Sequence, residues 1–142
     1  MKIHTGILNE VLNCMPSVPP ETGGIMGGKE GRICLWEYDM GYPQKGCEYR
    51  PNVIFLNRVI EEWVNQGYDF MGILHVHFGG SRNLSGGDKR YIEKIMRAMP
   101  LYITRLYFPI VVQPDRQIVS YVACKNLLGG IKIMKDEIDV FD

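Results

Sequence analysis

A short apolar segment that ends in two histidines, followed by a loop and a helix start, constrains the fold of this chain most. Residues 70–77 (FMGILHVH) are short and apolar, as expected for a central strand. Because side chains alternate along a strand, His75 and His77 should lie on one face of the sheet. The sequence SGGD at residues 85–88 follows after a loop and begins a predicted helix over residues 85–99.

The rest of the chain mixes helices and strands without regular alternation, which predicts the α+β class. Apolar residues at helical spacing predict two more helices, over residues 7–15 and from the cap Asn52 to residue 66. We expect residues 41–51 to form an irregular loop and the acidic C-terminal end to be frayed. Strands are predicted over residues 21–28 and 32–40 as one hairpin, over 107–113 and 117–124 as a second hairpin, and over 131–134.

Composition narrows the class of protein. The 142 residues suffice for one domain with its own core, and Lys plus Arg and Asp plus Glu each number 16. The resulting net charge of zero disfavours binding to nucleic acid. Without a signal peptide or a long apolar run, the expectation is a cytoplasmic protein that does not bind membranes. Scattered spacing predicts reduced thiols rather than disulfides for Cys14, Cys34, Cys47 and Cys124.

The histidine pair and the SGGD segment have simple structural explanations as well as a chemical one. Ser85 and Asp88 are three residues apart before an apolar helix, which is close to a capping box. The two histidines can form a hydrogen-bonded pair or lie at the surface. In the order strand, loop and helix start, however, His75, His77 and Asp88 can close an N,N,O ligand set. That set suits zinc in a hydrolytic site, where the fourth position is open to water.

A hydrolytic zinc site also needs a group that removes a proton from water. Glu21 is the strongest candidate, because it opens the apolar, glycine-rich segment ETGGIMGG, where backbone can approach a substrate closely. The other glutamates upstream of the histidines are expected to be solvated surface charges: Glu10, Glu30, Glu37, Glu48, Glu61 and Glu62.

A known pattern, with a glutamate on an early strand, then His-x-His, seven residues and Ser-x-x-Asp, is filled here by Glu21, His75, His77, Ser85 and Asp88. In this pattern the chain resembles the JAB/MPN domain of the JAMM metallopeptidase type, in its short prokaryotic form. The resemblance covers nearly the whole chain. It implies a single domain over residues 1–142, with a mixed, mostly antiparallel and curved β-sheet flanked by three helices, an architecture like that of cytidine deaminases.

The resemblance also implies a zinc metallopeptidase with one Zn²⁺ per chain, bound by His75, His77 and Asp88. Glu21 would be the general base, and the Ser85 hydroxyl would donate a hydrogen bond to the developing oxyanion. The expected reaction is hydrolysis of a peptide or isopeptide bond beside the glycine-rich tail of a ubiquitin-like or sulfur-carrier protein. Such a tail could add as a strand to an exposed sheet edge.

Two residues depart from the usual family sequence beside the metal. Val76 stands where a small residue is common and should point into the core. Phe78 stands where proline is common, so the adjoining loop and the substrate groove should differ from those of relatives.

Three alternatives stay open at this stage. They are a non-catalytic MPN scaffold, a closed structural zinc site, for which His4 is the one spare histidine, and a zinc amidase that acts on another small conjugate or a cell-wall peptide. Homo-oligomers are possible, and Tyr42, Tyr49 and Phe78 look exposed enough to serve a partner.

Overall fold

The structure is a computed structural model that describes residues 1–42 and 48–142. Within these ranges the chain forms three helices and nine strands. Residues 43–47 of the predicted loop, among them Cys47, lie outside the described residues. The helices are α1 (Thr5–Cys14), α2 (Val53–Asn65) and α3 (Gly86–Ala98), and the strands are β1 (Lys2–His4), β2 (Gly23–Lys29), β3 (Arg32–Asp39), β4 (Asp69–His77), β5 (Arg105–Tyr107), β6 (Ile110–Val112), β7 (Gln117–Lys125), β8 (Ile131–Asp136) and β9 (Asp139–Phe141).

All nine described strands belong to one mixed sheet. β4 lies inside it, between β2 on one side and the short strands β5 and β6 on the other. β7 and then β8 follow beyond β5 and β6, whereas β3, β1 and β9 follow beyond β2. Only Glu137 and Ile138 separate β8 from β9 in the chain, although these strands end the two sides of the sheet. The sheet must therefore curve, as predicted.

Apolar side chains cover both faces of the sheet. α2 and α3 pack on one face, against a cluster that includes Ile73 of β4. α1 packs on the other face, against a cluster that includes Leu74 and Val76 of the same strand. Because side chains alternate along β4, His75 and His77 lie on the face that α2 and α3 cover. Val76 is fully buried in the opposite cluster, so its prediction as a core residue is confirmed.

The predicted helices form, and their caps have the expected chemistry. The side chain of Asn52 accepts a hydrogen bond from the Phe55 N–H and begins α2. Ser85 begins α3 in the same way. α1 begins at a cap that sequence did not identify, since Nδ1 of His4 accepts a hydrogen bond from the Gly6 N–H at 3.0 Å. Half-buried His4 therefore has a structural role and is not simply a surface residue.

Both predicted hairpins form, with β2 antiparallel to β3 and β6 antiparallel to β7. The predicted single strand over 107–113 is wrong in detail, because it divides into β5 and β6. Pro109 has no N–H to donate to a ladder, and the Phe108 N–H donates to the Tyr121 carbonyl instead. Tyr107 pairs with Gly72, and pairing with β4 resumes at Ile110.

The expectation of a frayed C-terminal end is also wrong. β9 pairs in parallel with β1, and the Asp139 N–H donates to the Met1 carbonyl at 2.8 Å. Each of these strands has three residues, too few for a periodic pattern to show in the sequence. These strands pair only because tertiary structure brings the two ends of the chain together, where their backbones can form hydrogen bonds.

The other sequence expectations concern thiols and membranes. Cys14, Cys34 and Cys124 are free thiols, as predicted. In the part of the chain that the structure describes, no helix is both long and apolar enough to cross a bilayer.

Gly72 offers a test of how tightly β4 is held. A Cβ added there would lie 2.0 Å from the Tyr107 carbonyl oxygen, so β4 and β5 would have to separate. We expect Gly72→Ala to lower the free energy of unfolding by about 2–3 kcal/mol in urea denaturation. The control is Gly87→Ala, where the added Cβ would meet Ser85 Oγ at 3.7 Å, an ordinary contact. Equal stability of the two variants would contradict the expectation.

Candidate metal centre

The end of β4 and the first turn of α3 bring three predicted ligands together. Nε2 of His75 and Nε2 of His77 are 2.9 Å apart. Asp88 faces both rings, with Oδ2 at 3.2 Å from His77 Nε2 and Oδ1 at 3.4 Å from His75 Nε2. The three groups are close enough to hold a metal ion between them.

The distances fit a tetrahedral metal. With metal–ligand bonds of about 2.0–2.1 Å, neighbouring ligand atoms of a tetrahedral zinc site are about 3.3 Å apart. The two separations between a histidine nitrogen and an Asp88 oxygen lie close to this value, and the separation of the two nitrogens is slightly shorter. Small rotations of the rings would complete the site, so these residues fit zinc.

A hydrogen bond to Nδ1 of His77 leaves its Nε2 free to bind a cation. Its Nδ1 lies 3.3 Å from the Ser81 carbonyl oxygen, which can only accept a hydrogen bond. Nδ1 therefore carries the hydrogen, and in the neutral ring Nε2 has a lone pair directed at the other two ligands. A lone pair so close to a carboxylate is unfavourable unless a proton or a metal ion lies between them.

The interaction between His77 and Asp88 raises the pKa of the histidine and lowers the pKa of the aspartate. Burial by itself would lower the pKa of His77, but the hydrogen bond and negative charge of Asp88 outweigh it and raise that pKa. Burial by itself would raise the pKa of Asp88, but the hydrogen bonds with His75 and His77 outweigh it and lower that pKa far below its usual range. Asp88 thus stays ionised, as a metal ligand must.

Ser85 and Asp88 form the capping box that their spacing suggests. The Asp88 N–H donates to Ser85 Oγ at 3.0 Å, and the Ser85 N–H donates to Asp88 Oδ2 at 2.8 Å. Capping and metal binding are therefore compatible, because the cap fixes the carboxylate that faces the histidines. The cap uses a lone pair of the Ser85 hydroxyl and does not use its hydrogen.

Glu21 lies two residues before β2 rather than on a strand. Its backbone is fixed through Thr22, whose carbonyl accepts a hydrogen bond from the Val76 N–H at 3.1 Å. Its Oε2 accepts a longer hydrogen bond of 3.4 Å from the Tyr49 N–H. Burial raises the pKa of Glu21, although the charge of a protonated His75 would oppose that rise.

All five predicted site residues line one cavity of about 580 Å³. Phe78, which stands where proline is common in the family sequence, also lines this cavity. Tyr49 is not an exposed partner residue, because its hydroxyl donates to buried Asp39 at 2.7 Å, whereas Tyr42 is 44% exposed. Sequence reasoning missed other wall residues that come from distant segments: Arg50, Val53, Tyr91, Ile92 and Phe108.

Comparisons with known proteins identify the fold. No family model and no curated protein matches the chain. A protein from Desulfitobacterium hafniense, determined in solution, has a TM-score of 0.69 at 16% identity over 100% of this chain and 94% of its own. A JAB1/MPN domain protein from Archaeoglobus fulgidus has a TM-score of 0.54 at 18% identity over 100% of both chains. This chain has the JAB1/MPN fold.

The JAB1/MPN fold confirms the α+β architecture that the sequence resemblance implied. The candidate ligand cluster, by contrast, is observed in this chain's own residues. His4, the spare histidine of a closed zinc site, caps α1 and has its ring against Phe141. Within residues 1–42 and 48–142, the group that could hold a metal ion consists of His75, His77 and Asp88, with no fourth member.

We expect the protein to bind one zinc ion per chain and His77→Ala to lose it. The variant removes the ligand atom that contacts both other ligands, so zinc content after dialysis should fall close to zero by metal analysis. His4→Ala is the matched control and should keep its zinc, even though loss of the α1 cap would lower stability by about 1 kcal/mol. Wild-type zinc content in His77→Ala would exclude this site.

Proposed function

We propose that the protein is a zinc-dependent hydrolase that cleaves a peptide or isopeptide bond. The observation that carries the proposal is the juxtaposition of an N,N,O ligand cluster with Glu21 and Ser85 in one cavity of a JAB1/MPN fold. A set of metal ligands alone is also compatible with a structural metal site. A partly buried carboxylate and a hydroxyl beside it are the groups that hydrolysis needs.

An open ligand set supports catalysis over a closed structural site. Structural zinc sites have four protein ligands, whereas catalytic sites have three and leave a position for water or substrate. The residues that the structure describes provide three. The non-catalytic scaffold has less support, because such a protein has no need of these ligands or of a carboxylate beside them.

Each site residue has a role in the proposed reaction. Zinc, when bound here, supplies Lewis-acid activation of water and of a carbonyl group. Glu21 accepts the proton of the attacking water and then delivers it to the nitrogen of the leaving amine, so one carboxylate serves both steps. The raised pKa of Glu21 suits this exchange, because a proton held by an ordinary carboxylic acid is lost too readily at neutral pH.

Ser85 is proposed to stabilise the oxyanion. Its hydroxyl hydrogen is not used by the capping box and lies at the same cavity as the ligands. A donor in such a position contributes about 3–4 kcal/mol of transition-state stabilisation in other hydrolases. The cap also orients the hydroxyl, which reduces the entropy lost in the reaction.

We propose a glycine-rich tail of a ubiquitin-like or sulfur-carrier protein as the substrate. The side chains of His75, His77 and Asp88 are only 13%, 9% and 21% exposed, so a substrate must reach into the cavity to approach the ligands. Residues without bulky side chains suit such an approach. β4 pairs with strands on both sides, so a tail that binds by strand addition must use another backbone edge.

Product masses test the substrate proposal. Zinc-loaded protein is incubated with ubiquitin-like and sulfur-carrier proteins that are extended beyond their Gly-Gly ends, and cleavage after the second glycine is expected. Cleavage of small amide conjugates alone would favour the amidase alternative. Stoichiometric zinc without hydrolysis of either substrate class would overturn the proposed function in favour of a scaffold.

Glu21→Gln should lower kcat by about 10²–10⁴-fold while zinc content stays at one per chain, because the amide cannot accept a proton. Glu37→Gln is the matched control. Glu37 is also half-buried with a raised pKa, but it lies on β3 and is absent from the described cavity wall. Its kcat should equal that of the wild type. Full turnover in Glu21→Gln would exclude Glu21 as the general base.

Activity should depend on pH through Glu21. Its pKa is raised from the ordinary 4.5, and the base must be ionised, so kcat should fall as the pH decreases through that raised value. The kcat profile is measured with zinc content checked at each pH, since acid also protonates the ligands. An acid limb at or below the ordinary glutamate value, with zinc retained, would contradict the prediction.

A further inference from the structure

A second buried carboxylate lies beside the proposed active site and has no part in the chemistry described above. Asp39 ends β3 and is only 5% exposed. Its Oδ1 accepts a hydrogen bond from the Gly41 N–H at 2.9 Å. Its Oδ2 accepts two more, from the Tyr49 hydroxyl at 2.7 Å and the Asn52 N–H at 2.9 Å. Burial of a carboxyl group costs little stability when its oxygens accept this many hydrogen bonds.

The donors of Asp39 belong to both flanks of residues 43–47. Gly41 precedes that segment, and Tyr49 and Asn52 follow it. The Tyr42 N–H donates to the Arg50 carbonyl at 3.0 Å, so the flanks are also joined directly. Asn52 in turn caps α2. Asp39 thus connects the end of β3, the cavity wall and the start of a helix through one side chain.

Tyr49 carries this constraint to the proposed general base. Its ring lies against Gly23, where an added Cβ would be 2.5 Å from the ring. Its hydroxyl is bound to Asp39, and burial together with this hydrogen bond raises the pKa of Tyr49. With ring and hydroxyl both held, its backbone N–H is directed at Oε2 of Glu21. The lack of a side chain at Gly23 is what admits the ring so close to the strand.

We propose that Asp39 is a positioning residue for Glu21, acting through Tyr49. This inference rests on the proposed function, since positioning a base matters only if Glu21 is one. Misplacement of a reacting group by about 1 Å costs about 100-fold in rate. Loosening Tyr49 removes the N–H that fixes the Glu21 carboxylate, without touching the metal ligands. The effect of Asp39 is therefore expected on kcat rather than on KM or zinc binding.

Kinetics of the zinc-loaded variants test the proposal, with the carrier protein that the wild type cleaves. Asp39→Asn replaces one carboxylate oxygen with an NH2 group, which cannot accept the hydrogen bonds that reach this side chain. We expect kcat to fall about 10–100-fold, with unchanged KM and one zinc per chain. Tyr49→Phe keeps the ring on Gly23 and should give a smaller fall in kcat. Asp69→Asn, at an exposed position, is the control and should match the wild type. Measurements are made well below each unfolding midpoint, so that loss of folded protein does not contribute.

An NMR measurement tests the same connection without any substrate. Glu21→Gln should shift the Tyr49 amide resonance in the wild-type background, because the acceptor loses its charge. In the Asp39→Asn or Tyr49→Phe background this response should be reduced or lost. If Asp39 only stabilised the fold, Asp39→Asn would lower the unfolding midpoint and leave the Tyr49 amide response to Glu21→Gln intact.

The outcomes separate the two proposals. Wild-type kcat and an intact amide response in folded Asp39→Asn would overturn the role of Asp39. Should Asp39→Asn fail to fold, the same two results in Tyr49→Phe would overturn it. If the wild type cleaves no carrier protein or small conjugate, the proposed function fails, and the amide response still decides whether Asp39 holds Tyr49 against Glu21.

Discussion

The hydrogen bonds between Ser85 and Asp88 are the interaction on which the candidate site depends. They begin α3, and they also hold the Asp88 carboxylate against the two histidines at the end of β4. A helix cap is a local feature, formed within one turn of chain. Because Asp88 belongs to the cap, this candidate metal ligand is held in place by an interaction that does not depend on a metal ion.

Two carboxyl groups, those of Asp88 and Asp39, connect the rest of the site. Asp88 lies among histidines that keep it ionised, and the oxygens of Asp39 accept hydrogen bonds from N–H and O–H donors. Asp88 faces the two histidines directly, and Asp39 is joined to the cavity wall by the Tyr49 hydroxyl. A carboxylate without such partners would lose its charge on burial. Asp88 has a local partner in Ser85, whereas the hydrogen bonds of Asp39 form only when three separate segments of the chain are in place.

Local sequence signals predicted the elements of this fold well. The three helices follow from apolar spacing and, for α2 and α3, from the caps Asn52 and Ser85, which act within a few residues. Both hairpins follow from apolar segments on either side of a turn. Features that depend on distant pairing escaped prediction. β1 and β9 are too short to show a period. The break between β5 and β6 falls at Pro109, and Tyr107 and Ile110 pair with Gly72 and His75 of β4 in one continuous register across it.

The sequence by itself determined the candidate ligands, because His-x-His on a strand and Ser-x-x-Asp at a helix start each fix side-chain direction locally. Tertiary structure decided that these groups meet at distances suited to a metal, and that Glu21 lies in the same cavity. It also decided the hydrogen bonding of Asp39, which no local pattern marks. Its donors come from residues 41, 49 and 52, and they converge on one carboxylate only when β3, the cavity wall and α2 pack together.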